Sequence, residues 1–416
     1  MSHAGKNWRP TVSSTFIRLL SQISGIFLLG AGVLGSPAQG QDEKGAHRHR
    51  PQLAISAAVD QKGDIWTVGL ASDQRSLYLQ RVVSDGQTSR NQPRSISLGE
   101  DKISAAGENR PKLVFGDKWV VITYTQPLSR PYTGEIRMVR SEDGGQTFSR
   151  PFTVHQDRQI ITHRFESVVI DSTGVLHTFW IDKRDQERVK QERGLSHKEI
   201  GKHYRGAAIY RNESKDGGKT FGPDTKVADY SCECCRIAVA LDPGGKPVAM
   251  WRHVFEPNIR DHAFWGLASR SLTRATFDDW RLDACPHHGP ALAPRGAQGF
   301  HAVWFGEKAG KAAVRYGQLD LNGKPVTQPR DLPDVSAEHA DIVANGQRVV
   351  ISWRGFDGQR THWKIWRSDD GGKSFEERTL GRTVLDNDYP ILVSRNGQEI
   401  WGLWNKLDGL QIEKID

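Results

Sequence analysis

A chain of 416 residues exceeds one ordinary domain of roughly 100–200 residues, so it holds either two or three such domains or one large repetitive one. Its 13 Trp and 42 Gly against only 3 Met, with apolar residues in short runs punctuated by Gly, Asp and Asn, argue against helical stripes and for an all-β protein. The net charge of +8 comes from Lys and Arg spread along the chain rather than gathered in a stripe, so no nucleic-acid partner is expected.

Taken in chain order, the first element is a targeting segment. Lys6, Arg9 and Arg18 accompany an apolar stretch over residues 16–34, and Ser36-Pro37-Ala38 supplies the small residues a signal peptidase needs, so residues 1–38 read as a cleaved signal peptide. Residues 39–50 form an N-terminal arm ending in His47-Arg48-His49-Arg50. The remainder, 51–416, reads as a single repetitive domain with no further membrane-spanning candidate. An exported protein, periplasmic or secreted, is the expectation.

An apolar run, a Gly turn and an apolar-aromatic strand then recur seven times along the domain. The units begin with Pro51 to Trp66 and Arg110 to Trp119, and continue around Gly174 to Trp180, Gly245 to Trp251, Gly299 to Trp304, Gly346 to Trp353 and Gly397 to Trp404. Each is an inner hairpin of a blade, with later strands such as residues 76–83, 136–141 and 365–368 completing it. Stacked in a ring, such blades bury their faces against one another, which predicts a β-propeller. Seven hairpins favour seven blades over six, the last completed by a strand from the N-terminal arm.

Within this repeat lies a second one. The segments 141–148, 214–221 and 368–375 share the pattern S-x-D-x-G-x-[ST]-F. An Asp that accepts backbone N–H groups of its own loop, a Gly at positive φ and an aromatic residue tucked beneath describe a tight turn, so Asp143, Asp216 and Asp370 are expected to be structural. The stretch 182–202, rich in charged residues and Gln, reads as a solvated insertion, with a short helix over one rim of the ring.

Two clusters carry the candidate chemistry. Arg50, Arg110, Arg164 and Arg236 each stand at or just before the first inner strand of successive units, where guanidinium groups facing one channel would hold a carboxylate or similar anion. Cys232-Glu233-Cys234-Cys235 and Cys285-Pro286-His287-His288 contain all four cysteines. In an oxidising compartment these form two disulfides; alternatively the thiolates, with His287 or His288, bind copper or zinc. On an extended strand Cys232 and Cys234 would face one side and Cys235 the other. Trp251-Arg252-His253 and Arg260-Asp261-His262 add ligand-competent groups in the same blade, whereas His177 and His301 lie in apolar strands and are expected to be packed.

The three Asp-centred segments resemble the Asp-boxes, or bacterial neuraminidase repeats, of the sialidase superfamily. The resemblance implies a sialidase-like propeller of six or seven blades, with the boxes joining the two outer strands of a blade on the face away from the active site. It also implies an anionic, glycan-type ligand and an exo-acting glycoside hydrolase with a Tyr nucleophile activated by Glu. The stretch 388–397 is similar to the one that carries that Tyr, which makes Tyr389 the candidate and Glu166, in Arg164-Phe165-Glu166, its partner. His49-Arg50-Pro51 stands where the family has Arg-Ile-Pro, with Arg one residue closer to the proline, and no Asp is assigned as acid–base. The alternative function is a non-catalytic periplasmic propeller that binds a soft metal or a protein partner through the Cys/His blade.

Overall fold

In the computed structural model the described residues are 51–105, 107–284 and 286–415. The signal-peptide and arm expectations, Arg50 and Cys285 therefore lie outside the described residues.

The strands form seven antiparallel sheets, each a run of sequence-consecutive neighbours. Their innermost strands are Ile55–Val59, Lys112–Phe115, His163–Ile170, Ala238–Leu241, Ala291–Pro294, Glu338–Asn345 and Ile391–Arg395. Each of these contacts the next, and the seventh contacts the first, so the ring closes as a seven-bladed propeller. The sheets of blades 2 to 6 have four strands, blade 1 carries an extra short one, and blade 7 shows three among the described residues. Closure is made by side chains of blade 7 on blade 1: Asn405 Nδ2 donates to Leu53 O at 2.8 Å and Arg395 Nε to Gly63 O at 2.5 Å.

The second strand of a blade is the most apolar because it lies between neighbouring blades on both faces. Ile65–Leu70, Leu176–Asp182 and Pro247–Arg252 are buried at every position. Six of the seven repeat Trp residues are buried, and four of those donate their N–H to a carboxylate. Trp66 donates to Asp60 at 2.8 Å, Trp180 to Asp182 at 2.8 Å, Trp304 to Asp278 at 2.9 Å and Trp353 to Asp334 at 3.0 Å. Between blades 3 and 4 the packing joins Phe179, Ile181 and Ile209 to Trp251 and Trp265. His177 and His301 are packed, at 1% and 0% exposure.

The three Asp-centred segments join the third and fourth strands of blades 2, 3 and 6. In the blade 3 turn, Asp216 Oδ1 accepts the N–H groups of Lys219 and Thr220 at 3.0 Å, and Ser214 Oγ donates to it at 2.7 Å. These bonds hold each carboxyl below its usual range, the Thr147 hydroxyl being the largest cause at Asp143 and the Ser374 hydroxyl at Asp370. Gly218 at φ +84° supplies the backbone shape that a side chain resists. Strands alternate in direction, so these turns lie on the face opposite the entrances of the innermost strands. The insertion contains a helix, α1, over Arg184–Glu192, and a single 3-10 turn over Ile200–Lys202, on the entrance face of blade 3. Among the described residues no helix is long and apolar enough to cross a membrane.

Candidate functional site

Because every innermost strand runs the same way, the residues just before them converge on one mouth. Glu108 and Arg110 arrive from blade 2, Arg164 and Glu166 from blade 3, Arg236 from blade 4, His288 and Gly289 from blade 5, Glu338 and His339 from blade 6, and Asp388 and Tyr389 from blade 7. Two of these entrances carry a β-bulge with a large residue at positive φ: Phe165 at +58° and His339 at +51°. A bulge interrupts the alternation of side chains, so near-consecutive residues can be re-aimed toward one site, at a backbone cost on the order of 1–3 kcal/mol.

Glu108 is the hub. Its Oε2 accepts the backbone N–H of Arg236 at 2.9 Å and of Gly289 at 2.8 Å, while Oε1 meets Arg236 Nη1 at 3.1 Å and His339 Nδ1 at 2.8 Å. Burial opposes its charge, but Arg236 and His339 outweigh that and hold the carboxyl well below its usual range. Gly289 is required here, since a Cβ would lie 2.5 Å from Glu108 Oε2 and 2.4 Å from Arg236 Cγ.

Arg110 is buried and donates to Asp388 Oδ1 at 2.9 Å and to Ile55 O at 2.7 Å, and it lies 4.5 Å over the Tyr389 ring. On Tyr389 rests His339, centroids 3.9 Å apart and planes 9° apart, and His339 in turn stacks on His288 at 4.2 Å. Tyr389 is only 4% exposed, and its hydroxyl has no hydrogen-bond partner among the described residues. Burial first, then the Glu108 charge, push that hydroxyl far above its usual range.

The predicted pairing of Tyr389 with Glu166 does not form. Glu166 lies against the hydroxyls of Thr125 at 3.0 Å and Thr123 at 3.4 Å, burial raises its carboxyl, and the Lys112 charge partly offsets that. The carboxylates whose charge acts on Tyr389 are Glu108 and Asp388. Of the predicted arginines, Arg110 and Arg236 are thus tied to carboxylates. Arg164 stacks 5.0 Å over Phe165 and makes no ion pair among the described residues. Lys112 at the start of the blade 2 strand also makes none; burial is the largest influence on its ammonium, which is lowered to about 8, with Arg110 and Arg236 adding repulsion and Glu166 opposing. Glu108, Lys112, Glu338 and His339 were not singled out in the sequence. The available signal was position: Glu108 and Lys112 each lie two residues from Arg110.

Cysteine placement departs from the extended-strand expectation. The backbone bends after Ser231, at the crossover from blade 3 to blade 4 on the mouth face, and Cys232, Cys234 and Cys235 turn their sulfurs to one point. His288 belongs to the mouth, where its ring forms a group with Glu338 and His339, and His287 is exposed. Neither joins the three sulfurs in one ligand group.

No protein-family model matches the chain, and no curated protein sequence matches it. Similar solved structures include a PL25 ulvanlyase bound to -[GlcA(1-4)Rha3S]-, with TM-score 0.53 at 10% identity over 87% of this chain and 92% of that one. A leech intramolecular trans-sialidase complexed with 2,7-anhydro-Neu5Ac gives TM-score 0.51 at 9% identity, over 85% and 83%. A Hadza microbial sialidase aligns over 83% and 74% at 14% identity, with TM-score 0.49. What the first two share with this chain is the fold. It is a seven-bladed, sialidase-like β-propeller.

Proposed function

We propose that this is an exported propeller that binds an anionic, glycan-type ligand over the mouth. The observation that carries the reading is the gathering of four cations at one mouth: Arg164 and Lys112, neither with an ion-pair partner among the described residues and both acted on by the single carboxyl of Glu166, stand beside Arg110 and Arg236. Half-buried cations that share one carboxylate are costly, and a carboxylate supplied by a ligand lowers that cost through forked, charge-assisted bonds. Arg164, Arg236 and Arg354 keep some exposure at the rim, so an incoming anion meets them before the buried Arg110 and Tyr389. Two fold neighbours carry an acidic sugar or its derivative, which agrees with the ligand class; at 10% and 9% identity they support only the architecture.

Binding is favoured over turnover by the state of Tyr389. A nucleophilic Tyr needs a base within about 2.6–3.2 Å of its hydroxyl. Here the hydroxyl makes no hydrogen bond among the described residues and its proton is held tightly. Calorimetric titration with uronate- and sialate-bearing oligosaccharides tests the proposal. Saturable binding that weakens about tenfold or more in Arg164→Ala supports it; equal affinity for neutral oligosaccharides, or none for any acidic one, refutes it. A fluorogenic sialoside run alongside distinguishes a hydrolase, since release abolished by Tyr389→Phe would replace binding by catalysis.

A further inference from the structure

Between blades 2 and 3 the rim of the mouth carries an apolar ridge outside the Glu108 network. Two loops build it. Residues 128–133 connect Val120–Pro127 to Gly134–Ser141 in blade 2, and residues 154–162 lead from the last strand of that blade into the innermost strand of blade 3. Both lie on the entrance face, because the innermost strand of a blade starts at the mouth and its antiparallel second strand ends there. On the first loop stands Tyr132, 70% exposed and the most exposed Tyr, Trp or Phe among the described residues, and on the second Ile160, 44% exposed.

A single exposed Tyr is ordinary on a protein surface. This one is held out at a cost, with its backbone at φ +59°, the left-handed region that a bulky side chain resists. Hydrogen bonds within the loop and across to the neighbouring segment impose that shape. Leu128 N–H donates to Thr133 O at 3.2 Å, Thr133 Oγ1 to Arg130 O at 2.6 Å, Thr162 Oγ1 to Tyr132 O at 2.8 Å and Gly134 N–H to Ile161 O at 2.9 Å, while Arg130 donates to Ile160 O. The two loops are thus clamped into one ridge. Arg164 runs along its base, where a Cβ on Gly134 would lie 3.1 Å from Arg164 Cγ. Burial and the Glu166 carboxyl act most strongly on the Arg164 guanidinium, and the Tyr132 phenol is close enough to act on it as well.

We infer that Tyr132 and Ile160 form a stacking subsite for the pyranose ring that bears the ligand's carboxylate. The inference rests on the anionic, glycan-type reading of the mouth and names the residues that recognise the sugar itself. A pyranose presents C–H groups on its faces and hydroxyls along its edge. The flat Tyr132 ring, which has few rotatable bonds and little entropy to lose, covers one face, and Arg164 takes the carboxylate at the edge through forked bonds. This division separates an acidic sugar from an inorganic anion, which has no face to stack, and from a neutral sugar, which has no charge to hold.

Calorimetric titration of the full chain with a glucuronate-bearing oligosaccharide tests it, for wild type and two variants. Tyr132→Gly removes the ring and suits the left-handed backbone, so its melting temperature should match or exceed that of wild type while affinity falls about tenfold, the scale of one aromatic contact. Tyr132→Phe keeps the face and should bind within about twofold of wild type. Proton NMR of the sugar gives an independent reading, since its C–H signals should move upfield on binding to wild type and Tyr132→Phe but not to Tyr132→Gly. Undiminished affinity in Tyr132→Gly, or an equal loss in Tyr132→Phe, would overturn the subsite and leave the anion site at the mouth standing. A clear drop in the Tyr132→Gly melt would overturn it too, by making the ring a packing element. Failure of the wild-type chain to bind acidic oligosaccharides would overturn both readings.

Discussion

Glu108 of blade 2 grips Arg236 of blade 4 twice across the mouth, at 3.1 Å through the guanidinium and at 2.9 Å through the backbone N–H. With Gly289 and His339 on its remaining lone pairs, this one carboxylate joins blades 2, 4, 5 and 6. Glu108→Gln leaves Arg236 beside a neutral amide and should cost about 3 kcal/mol, the scale for breaking a buried ion pair. The pH sign follows from its lowered pKa: the contribution is full above the unfolded value of about 4.3 and is lost only as pH falls through the lower folded value. Urea melts from neutral to acid pH should show wild type losing stability at the acid end and Glu108→Gln losing less. Parallel curves for the two proteins would show that Glu108 is not the hub.

Lys112 gives a second pH dependence, of the same sense but at alkaline pH. Its folded-state pKa of about 8 lies below the unfolded value of about 10.4, so between those limits the unfolded chain binds more protons and stability rises with pH. Affinity for an anion at the mouth should fall over the same interval, because the bound carboxylate loses a cationic partner. Lys112→Met should remove both trends and raise stability at neutral pH while weakening the anion. Thermal melts and calorimetry across that range read the two effects separately.

Tyr389→Phe tests the state of the buried hydroxyl. An unsatisfied buried hydroxyl costs about 1–3 kcal/mol, so its removal should leave stability unchanged or raise it by about 1 kcal/mol. The stacking on His339 is kept by the Phe ring. A clear loss of stability in denaturant melts would mean that the hydroxyl is bonded to a group in the folded protein.

Asp216→Ala addresses the far face. It removes the acceptor of two backbone N–H groups and two hydroxyl contacts in the blade 3 turn, so the melting temperature should drop. Affinity at the mouth should be unchanged, because the turn lies at the opposite end of the blade. A matching loss of affinity in the folded variant would contradict the structural role.

Much of the architecture was legible because it is local. The repeat of apolar run, Gly turn and aromatic strand marks inner hairpins, six of which bury the Trp of the repeat, and the seven hairpins are seven blades. The Asp-centred turns were equally plain, since every group that bonds the Asp carboxylate lies within four residues of it. The entrance arginines were found by position, and Arg110, Arg164 and Arg236 do reach the mouth region. Their partners were not legible: Asp388 is 278 residues from Arg110, and Glu108 is 128 from Arg236.

The sequence by itself determined the repeat, the turn chemistry and which residue types stand at each strand entrance, because hydrogen bonding and side-chain alternation within a hairpin depend on near neighbours. Only the tertiary structure decided which of those residues meet. Ring closure set Tyr389 between Arg110 and His339, the bulges at Phe165 and His339 redirected the side chains around them, and the bend after Ser231 gathered three sulfurs that an extended strand would have split between two faces. Each of these is a relation across blades or a local break in strand alternation, and neither leaves a periodic trace in the chain.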